Sequence, residues 1–253
     1  MSIPTPKRAA VVHYHLFKNA GTSVDRILQD NFGSDWTEIE GPENRKLTPE
    51  ALLDFIRANP KLKAVSSHTA VISPPETDDI DILPIVFIRH PIDRIRSAYD
   101  FERRQDAQTP GAIKAKEGDF RHYMDWRLES NSPWQVKNFH AMRLKDFHDF
   151  TPALQEERFR DNALRAMEDL PLVGLVEAFD ASMEQFATAI REHFEDFCLP
   201  ETVRENVTSQ ADRSLDDNLQ AFRDRIGDAT YRELETLNAD DFAVYNAAKA
   251  RFS

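Results

Sequence analysis

The hydrophobic positions of this chain follow two rhythms. Residues 10–16, Ala-Val-Val-His-Tyr-His-Leu, are rich in β-branched and aromatic side chains and predict a strand. Behind them Val24, Ile27, Leu28 and Phe32 recur at helical spacing, with Asp25, Arg26 and Gln29 on the other side. Thr48-Pro49-Glu50 is a cap followed by a first-turn proline, and Leu52, Leu53 and Ile56 continue a helix that ends before Pro60. Residues 63–68 predict a short strand. Residues 83–89, Leu-Pro-Ile-Val-Phe-Ile-Arg, predict a central one, apolar on both faces. Pro91 opens a helix with Ile92, Ile95 and Tyr99 as its stripe, and residues 105–118 read as an exposed excursion. Helical patterns then cover 119–128, 133–144 and 152–169, the last capped by Thr151 before Pro152. A fourth strand spans 170–177, and helices follow Asp180, span 212–226, and run from 228 to the end. Residues 200–213 are polar and irregular.

Strands separated by helical patterns predict an α/β fold: a parallel sheet with helices on its faces and a helix-rich C-terminal half. There is no internal repeat. Pro74-Pro75 with the acids of 76–81 reads as a surface loop, so residues 1–253 are expected to form one domain. A chain of 253 residues buries enough apolar surface to fold without staples. Cys198 stands alone, which excludes an intramolecular disulfide and suits a reducing compartment. Flanked by Phe197 and Leu199, it is expected to be buried. Residues 1–10 hold no apolar run of signal-peptide length and no window approaches a membrane span, so the expected location is the cytoplasm.

The formal net charge of −12 argues against broad adhesion to nucleic acid or to an anionic membrane. Any anion bound here must be met by a few placed cations. A neutral or lightly charged substrate therefore suits the chain better than a long polyanion.

Candidate cations stand at two strand ends. The first strand enters its helix through Lys18-Asn19-Ala20-Gly21-Thr22-Ser23. Such a turn offers free backbone N–H groups and the positive end of the helix dipole, which together bind phosphate-like groups. Gly21 allows close approach, Thr22 and Ser23 add hydroxyls, and Lys18 adds a full charge. The spacing is not a Walker A motif, because the lysine precedes the glycine. An ordinary strand–helix turn with a surface lysine is the other reading. At the end of the strand 83–89, Arg89 leads into Pro91, Arg94, Arg96 and Ser97. An arginine at that end of a parallel strand sits where open α/β sheets bind ligands, and its planar fork suits phosphate. A solvated basic helix face accounts for the same residues.

Together the two segments resemble the PAPS-dependent sulfotransferases, in particular the carbohydrate O-sulfotransferase branch with the heparan sulfate 2-O and 6-O enzymes. His15-Leu-Phe-Lys-Asn-Ala-Gly-Thr-Ser23 is similar to that branch's 5′-phosphosulfate loop, H-x-x-K-T-G-G-T-S. Arg89, Pro91, Arg94, Ser97 and Tyr99 fall in register with its 3′-phosphate motif, R-D-P-x-x-R-x-x-S-x-Y. Residues 134–144, 172–183 and 239–252 carry weaker echoes. Three departures stand out. Asn19-Ala20 replaces Thr-Gly and restricts the loop backbone. His90 replaces an aspartate and removes a helix-capping carboxylate. An N-terminal membrane anchor is missing, which points to a bacterial-type soluble member.

The resemblance implies a P-loop-like three-layer fold and 3′-phosphoadenylyl sulfate (PAPS) as donor. It implies that Lys18, Asn19, Ala20, Gly21, Thr22 and Ser23 hold the phosphosulfate, and that Arg89 and Ser97 hold the 3′-phosphate. Arg204, Asn206 and Thr208 occupy the irregular segment where such enzymes close over the nucleotide; a plain polar loop is the alternative. His68, directly after the strand 63–67, lies at the same rim, and the resemblance implies that it is the general base; a hydrogen-bonded histidine at a strand end is the alternative. The acceptor it implies is a sugar hydroxyl on a glycan or small glycoside, and with lysine and helix dipole meeting the anion no metal is expected. His13 and His15 share one sheet face and read as structural, although His15 could approach the loop. Three histidines without acids at ligand spacing make no metal site. His140 and His148 fall in helical patterns and read as fillers. Two rival classes stay open: a P-loop kinase or NTPase using Glu177 as its strand-end acid, and a non-catalytic nucleotide-binding relative.

Overall fold

β1 is a middle strand because every residue in it after Arg8 is buried, which requires a neighbour on both edges and cover on both faces. The computed structural model describes residues 7–148, 158–200 and 214–252. Its sheet contains β1 (Arg8–Tyr14), β2 (Trp36–Glu38), β3 (Ala64–Ser67), β4 (Ile80–Ile88) and β5 (Leu172–Leu175), in the order β2-β3-β1-β4-β5. All pairings are parallel, with Val11 opposite Ala64 on one side and Leu83 on the other. The chain therefore fills one side of β1 first and then crosses to the other. That reversal leaves a crevice at the carboxyl ends of β1, β3 and β4, the place where open α/β sheets hold ligands.

The helices among the described residues are α1 (Gly21–Phe32), α2 (Pro49–Ala58), α3 (Pro91–Arg104), α4 (Pro110–Glu117), α5 (Phe120–Glu129), α6 (Phe139–Leu144), α7 (Phe159–Asp169), α8 (Phe179–Arg191), α9 (Leu215–Ile226), α10 (Asp228–Leu237) and α11 (Ala239–Ala250). Side-chain alternation along β1 sorts them into layers. Ala10, Val12 and Tyr14 pack with α2, α6, α7 and α11. Val11 packs with α1 and α8 on the opposite face. His13 and His15 share the parity of Val11 and so lie under α1. A further core joins Ile92, Ile95 and Tyr99 of α3 to Phe120 of α5, Phe222 of α9 and Leu234 of α10. No helix among the described residues is long and apolar enough to cross a membrane.

The α/β class, the parallel sheet and the helix-rich C-terminal half agree with the sequence pattern, and five differences have physical causes. β2 has three residues, too few for an alternation to register. Residues 105–118 are not only an exposed excursion: α4 lies there, with Gly111, Ala112 and Ala115 buried and Thr109 capping the Ala112 N–H. Residues 133–144 are a 3₁₀ turn (Pro133–Gln135) and α6, separated by Asn138 at φ 44°. The helix expected from 228 onward breaks at Asn238 into α10 and α11. Cys198 is exposed, not buried; its backbone N–H and C=O pair with the Asn31 side chain, which holds the segment at the surface. The helix start at Thr151 lies outside the described residues.

Candidate functional site

The turn between β1 and α1 is built on strained backbone. Lys18 (φ 63°) and Ala20 (φ 60°) both take the left-handed conformation that favours glycine. The methyl group of Ala20 therefore sits where a glycine would relax freely. Asn19 folds the turn through its N–H to the Leu16 carbonyl (3.1 Å), and its side chain is buried. Ala20 gives α1 no side-chain cap, so the first turn keeps N–H groups for an anion. Thr22 is exposed there, while Ser23 is buried.

Gly21 has a different neighbour from the one expected. A Cβ at this position would lie 2.1 Å from Cδ2 and 2.2 Å from Nε2 of His15. The histidine ring rests against the helix start, and only glycine leaves it room. That ring is anchored from behind: His15 Nδ1 is 2.7 Å from Asp25 Oδ2, and His13 Nδ1 is 2.7 Å from Asp25 Oδ1. Asp25 therefore faces inward, not to the polar side of α1. Burial alone would raise its carboxyl, but the hydrogen bonds from His13 and His15 hold it well below the usual carboxylate range. The ligand atoms of His13, His15 and Asp25 lie within 4.8 Å of one another, close enough for a metal ion. The acid that the histidines lack along the sequence thus arrives in space, and here it accepts both imidazole N–H groups.

His68, exposed after β3, packs its ring against that of His15, centroids 3.8 Å apart and planes tilted by 36°. Its own N–H donates to Glu40 Oε1 at 2.8 Å, which fixes the backbone at the strand end. Desolvation, with the neighbouring His15 imidazole, pulls the His68 ring below its ordinary value and keeps it neutral, as a base must be.

Lys18 and Arg89 meet at the centre. Arg89 Nη1 donates to the Lys18 carbonyl at 3.0 Å, while Nε and Nη2 hold Asp93 Oδ2 at 2.8 and 2.6 Å. The fork expected to take a phosphate is thus bonded to Asp93, and a phosphate must share it. Lys18 Nζ lies 4.5 Å over the Phe101 ring. Burial, then the charges of Arg89, Arg104 and Arg96, push the lysine down to about 8. The depression is first a mark of burial and second of the three neighbouring guanidinium charges. Ser97 is half-buried on α3. Arg94 is fully buried, donates to the Gln135 carbonyl at 2.5 Å and stacks 4.4 Å over Phe139, so it ties α3 to the 133–139 segment. The missing carboxylate at His90 is replaced from a distance: Glu177 Oε1 accepts the His90 N–H at 2.7 Å. A cavity of about 530 Å3 opens on the Phe17 side of the turn, walled by Phe17, Phe101 and Trp126 with the Glu102–Arg127 pair.

The Arg89–Lys18 bond joins Arg89 to the turn of Lys18, Asn19, Ala20, Gly21, Thr22 and Ser23, and His68 joins it through the His15 ring that rests on Gly21, while Ser97 lies on α3. Arg204, Asn206 and Thr208 lie outside the described residues. His15 reaches the loop, as its place on the strand allows; sequence reasoning missed Asp25, because its contact with His13 and His15 depends on the packing of α1 on β1. His140 is not a filler either: its Nε2 lies 2.9 Å from Asn19 Oδ1.

No family model matches the chain. A protein of Archaeoglobus fulgidus, described as an uncharacterized protein, is 35% identical to it over 248 residues, covering 94% of this chain and 95% of the relative. Identity at that level over nearly both full lengths means one common fold and descent, and the chain belongs to the same family as this archaeal protein.

Proposed function

We propose that the chain is a PAPS-dependent sulfotransferase that moves a sulfuryl group from 3′-phosphoadenylyl sulfate to a hydroxyl of a carbohydrate or glycoconjugate. The observation that carries this reading is the bond from Arg89 to the Lys18 carbonyl, which merges the two anion-binding motifs into one cationic rim. Lys18, Gly21, Thr22 and Ser23 cradle the 5′-phosphosulfate on the turn that Asn19 and Ala20 shape. Arg89 and Ser97 take the 3′-phosphate. His68 accepts the proton of the acceptor hydroxyl as its oxygen bonds to sulfur. The bond between sulfur and the bridging oxygen of the 5′-phosphate breaks in line, and Lys18 with the N–H groups of α1 meets the charge left on that phosphate. The aromatic-walled cavity beside Phe17 offers room for a small, weakly charged acceptor. The lone exposed Cys198 fits work in the reducing cytoplasm.

A magnesium-nucleotide enzyme would need Glu177 as its acid. One oxygen of that carboxylate accepts the His90 N–H, and burial raises the group above the usual range, which weakens it as a ligand. Thermal shift decides between the two: stabilisation by adenosine 3′,5′-bisphosphate supports the proposal, and stabilisation by ATP–magnesium alone overturns it. Transfer of labelled sulfate from PAPS to a glycan panel then separates an enzyme from a non-catalytic binder.

A further inference from the structure

The segments around 134–144 and 239–252 come together beneath the anion turn. Asn138 begins α6 and Asn238 begins α11, and the two helix starts exchange caps. The Asn138 N–H donates to Asn238 Oδ1 at 2.9 Å, and the Asp241 N–H donates to Asn138 Oδ1 at 3.3 Å. The Asp241 carboxylate accepts the N–H groups of His140 and Ala141 at 3.0 and 2.9 Å. Each bond satisfies a donor that a helix start leaves orphaned.

From this joint the His140 ring reaches the turn. Its Nδ1 is 3.0 Å from Asp241 Oδ2 and its Nε2 is 2.9 Å from Asn19 Oδ1. The Asn19 amide is oriented by its other end, where Nδ2 donates to the Phe17 carbonyl at 3.0 Å. Turning the amide over would set two oxygens against each other there. Both partners of the ring are therefore acceptors, and a neutral imidazole has a single N–H to give. His140 and Asp241 are 0% exposed and Asn19 is 1% exposed, so an unmet acceptor has no solvent to turn to.

We infer that His140 is a doubly protonated imidazolium locked between Asp241 and Asn19, and that it is the positioning residue of the anion turn. Asn19 lies between the two left-handed residues, Lys18 and Ala20, and the bond from below holds the turn in that strained shape. Asp241 balances the buried charge: burial alone would raise its carboxyl, and the charge and hydrogen bonds of His140 keep it low. The α6–α11 joint thus works as the foundation of Lys18. The positioning role rests on the anion-binding reading of the turn; the protonation state does not.

Nitrogen-15 histidine NMR of the unliganded chain near neutral pH reads the protonation state directly. The His140 resonances are assigned by their loss in His140→Gln or, if that chain does not fold, by through-space contacts to Asn19. Protons on both ring nitrogens are expected, and a tautomer with one bare nitrogen would overturn the imidazolium. Calorimetry with adenosine 3′,5′-bisphosphate reads the positioning role in Asn19→Ala, which leaves the His140–Asp241 pair intact. About tenfold weaker binding is expected from the lost charge-assisted bond. Unchanged affinity in a folded Asn19→Ala chain would overturn the role. If the unaltered chain does not bind this nucleotide, the sulfotransferase reading fails while the NMR result still decides the state of His140.

Discussion

Arg89, at the end of β4, donates from Nη1 to the carbonyl oxygen of Lys18, across the seam between β4 and β1, at 3.0 Å. The bond fixes a left-handed residue that would otherwise relax, and it places a guanidinium beside the ammonium that it helps to orient. A side chain in such a position contributes twice, by its charge and by the backbone that it holds. Arg89→Ala is therefore expected to weaken adenosine 3′,5′-bisphosphate at least about tenfold. Arg89→Lys should restore little, because an ammonium cannot serve the Lys18 carbonyl and Asp93 together as the planar fork does. Titration calorimetry on the three chains checks this, and full rescue by lysine would count against the double role.

Lys18 gives a proton-linkage prediction. Burial and three arginines lower it to about 8, so near that pH part of the population is neutral in the empty turn. A bound dianion favours the charged form and raises the value again. Nucleotide binding is accordingly expected to take up protons near pH 8, and affinity is expected to fall as the pH rises beyond it. Calorimetry in buffers of different ionisation enthalpy measures the uptake. Lys18→Met should abolish both the uptake and the pH dependence.

For His68 the expectation separates binding from turnover. His68→Ala should leave donor affinity unchanged and lower sulfate transfer by about a hundredfold or more, the usual range for a lost general base. Desolvation and then the charge of the neighbouring His15 hold His68 below 6.5, so the neutral, active form persists to lower pH. The acidic limb of the rate profile should thus lie below that value. In His15→Ala the limb should move upward, because one of the groups that depress His68 is gone. Retained turnover in His68→Ala would remove the residue from the chemistry.

How much of this was legible in the sequence follows from the range of each interaction. The turn at Lys18, the strand end at Arg89 and the cap at Thr48 are local, and spacing alone places them. The parity of His13 and His15 was legible too, but not their shared partner, because Asp25 is reached through the packing of α1 on β1. Helical periodicity continues across Asn138 and Asn238, since residues on either side of each break are apolar at suitable intervals. What breaks the helices is the exchange of caps between segments about a hundred positions apart, which no local pattern encodes. The same holds for Glu177: read along the chain it is a strand-end acid, and only the fold shows that it caps His90.

His90 offers a test of stability that is independent of function. Its ring packs edge-on to Phe242 and Tyr245, with centroids 5.4 and 5.3 Å away, and its Nδ1 is buried without a partner. Burial, opposed by Asp93 and helped by Arg89, lowers it from 6.5 to about 4. The unfolded chain therefore binds this proton before the folded one does. Stability from this source is complete above 6.5 and is lost as the pH falls toward 4. The loss is on the order of 3 kcal/mol by linkage. His90→Phe keeps the aromatic packing and the backbone N–H to Glu177 while removing the titrating group. Its urea midpoint should fall less than that of the unaltered chain between about pH 7 and about pH 5. Equal falls in the two chains would show that His90 is not the residue that loosens this fold in acid.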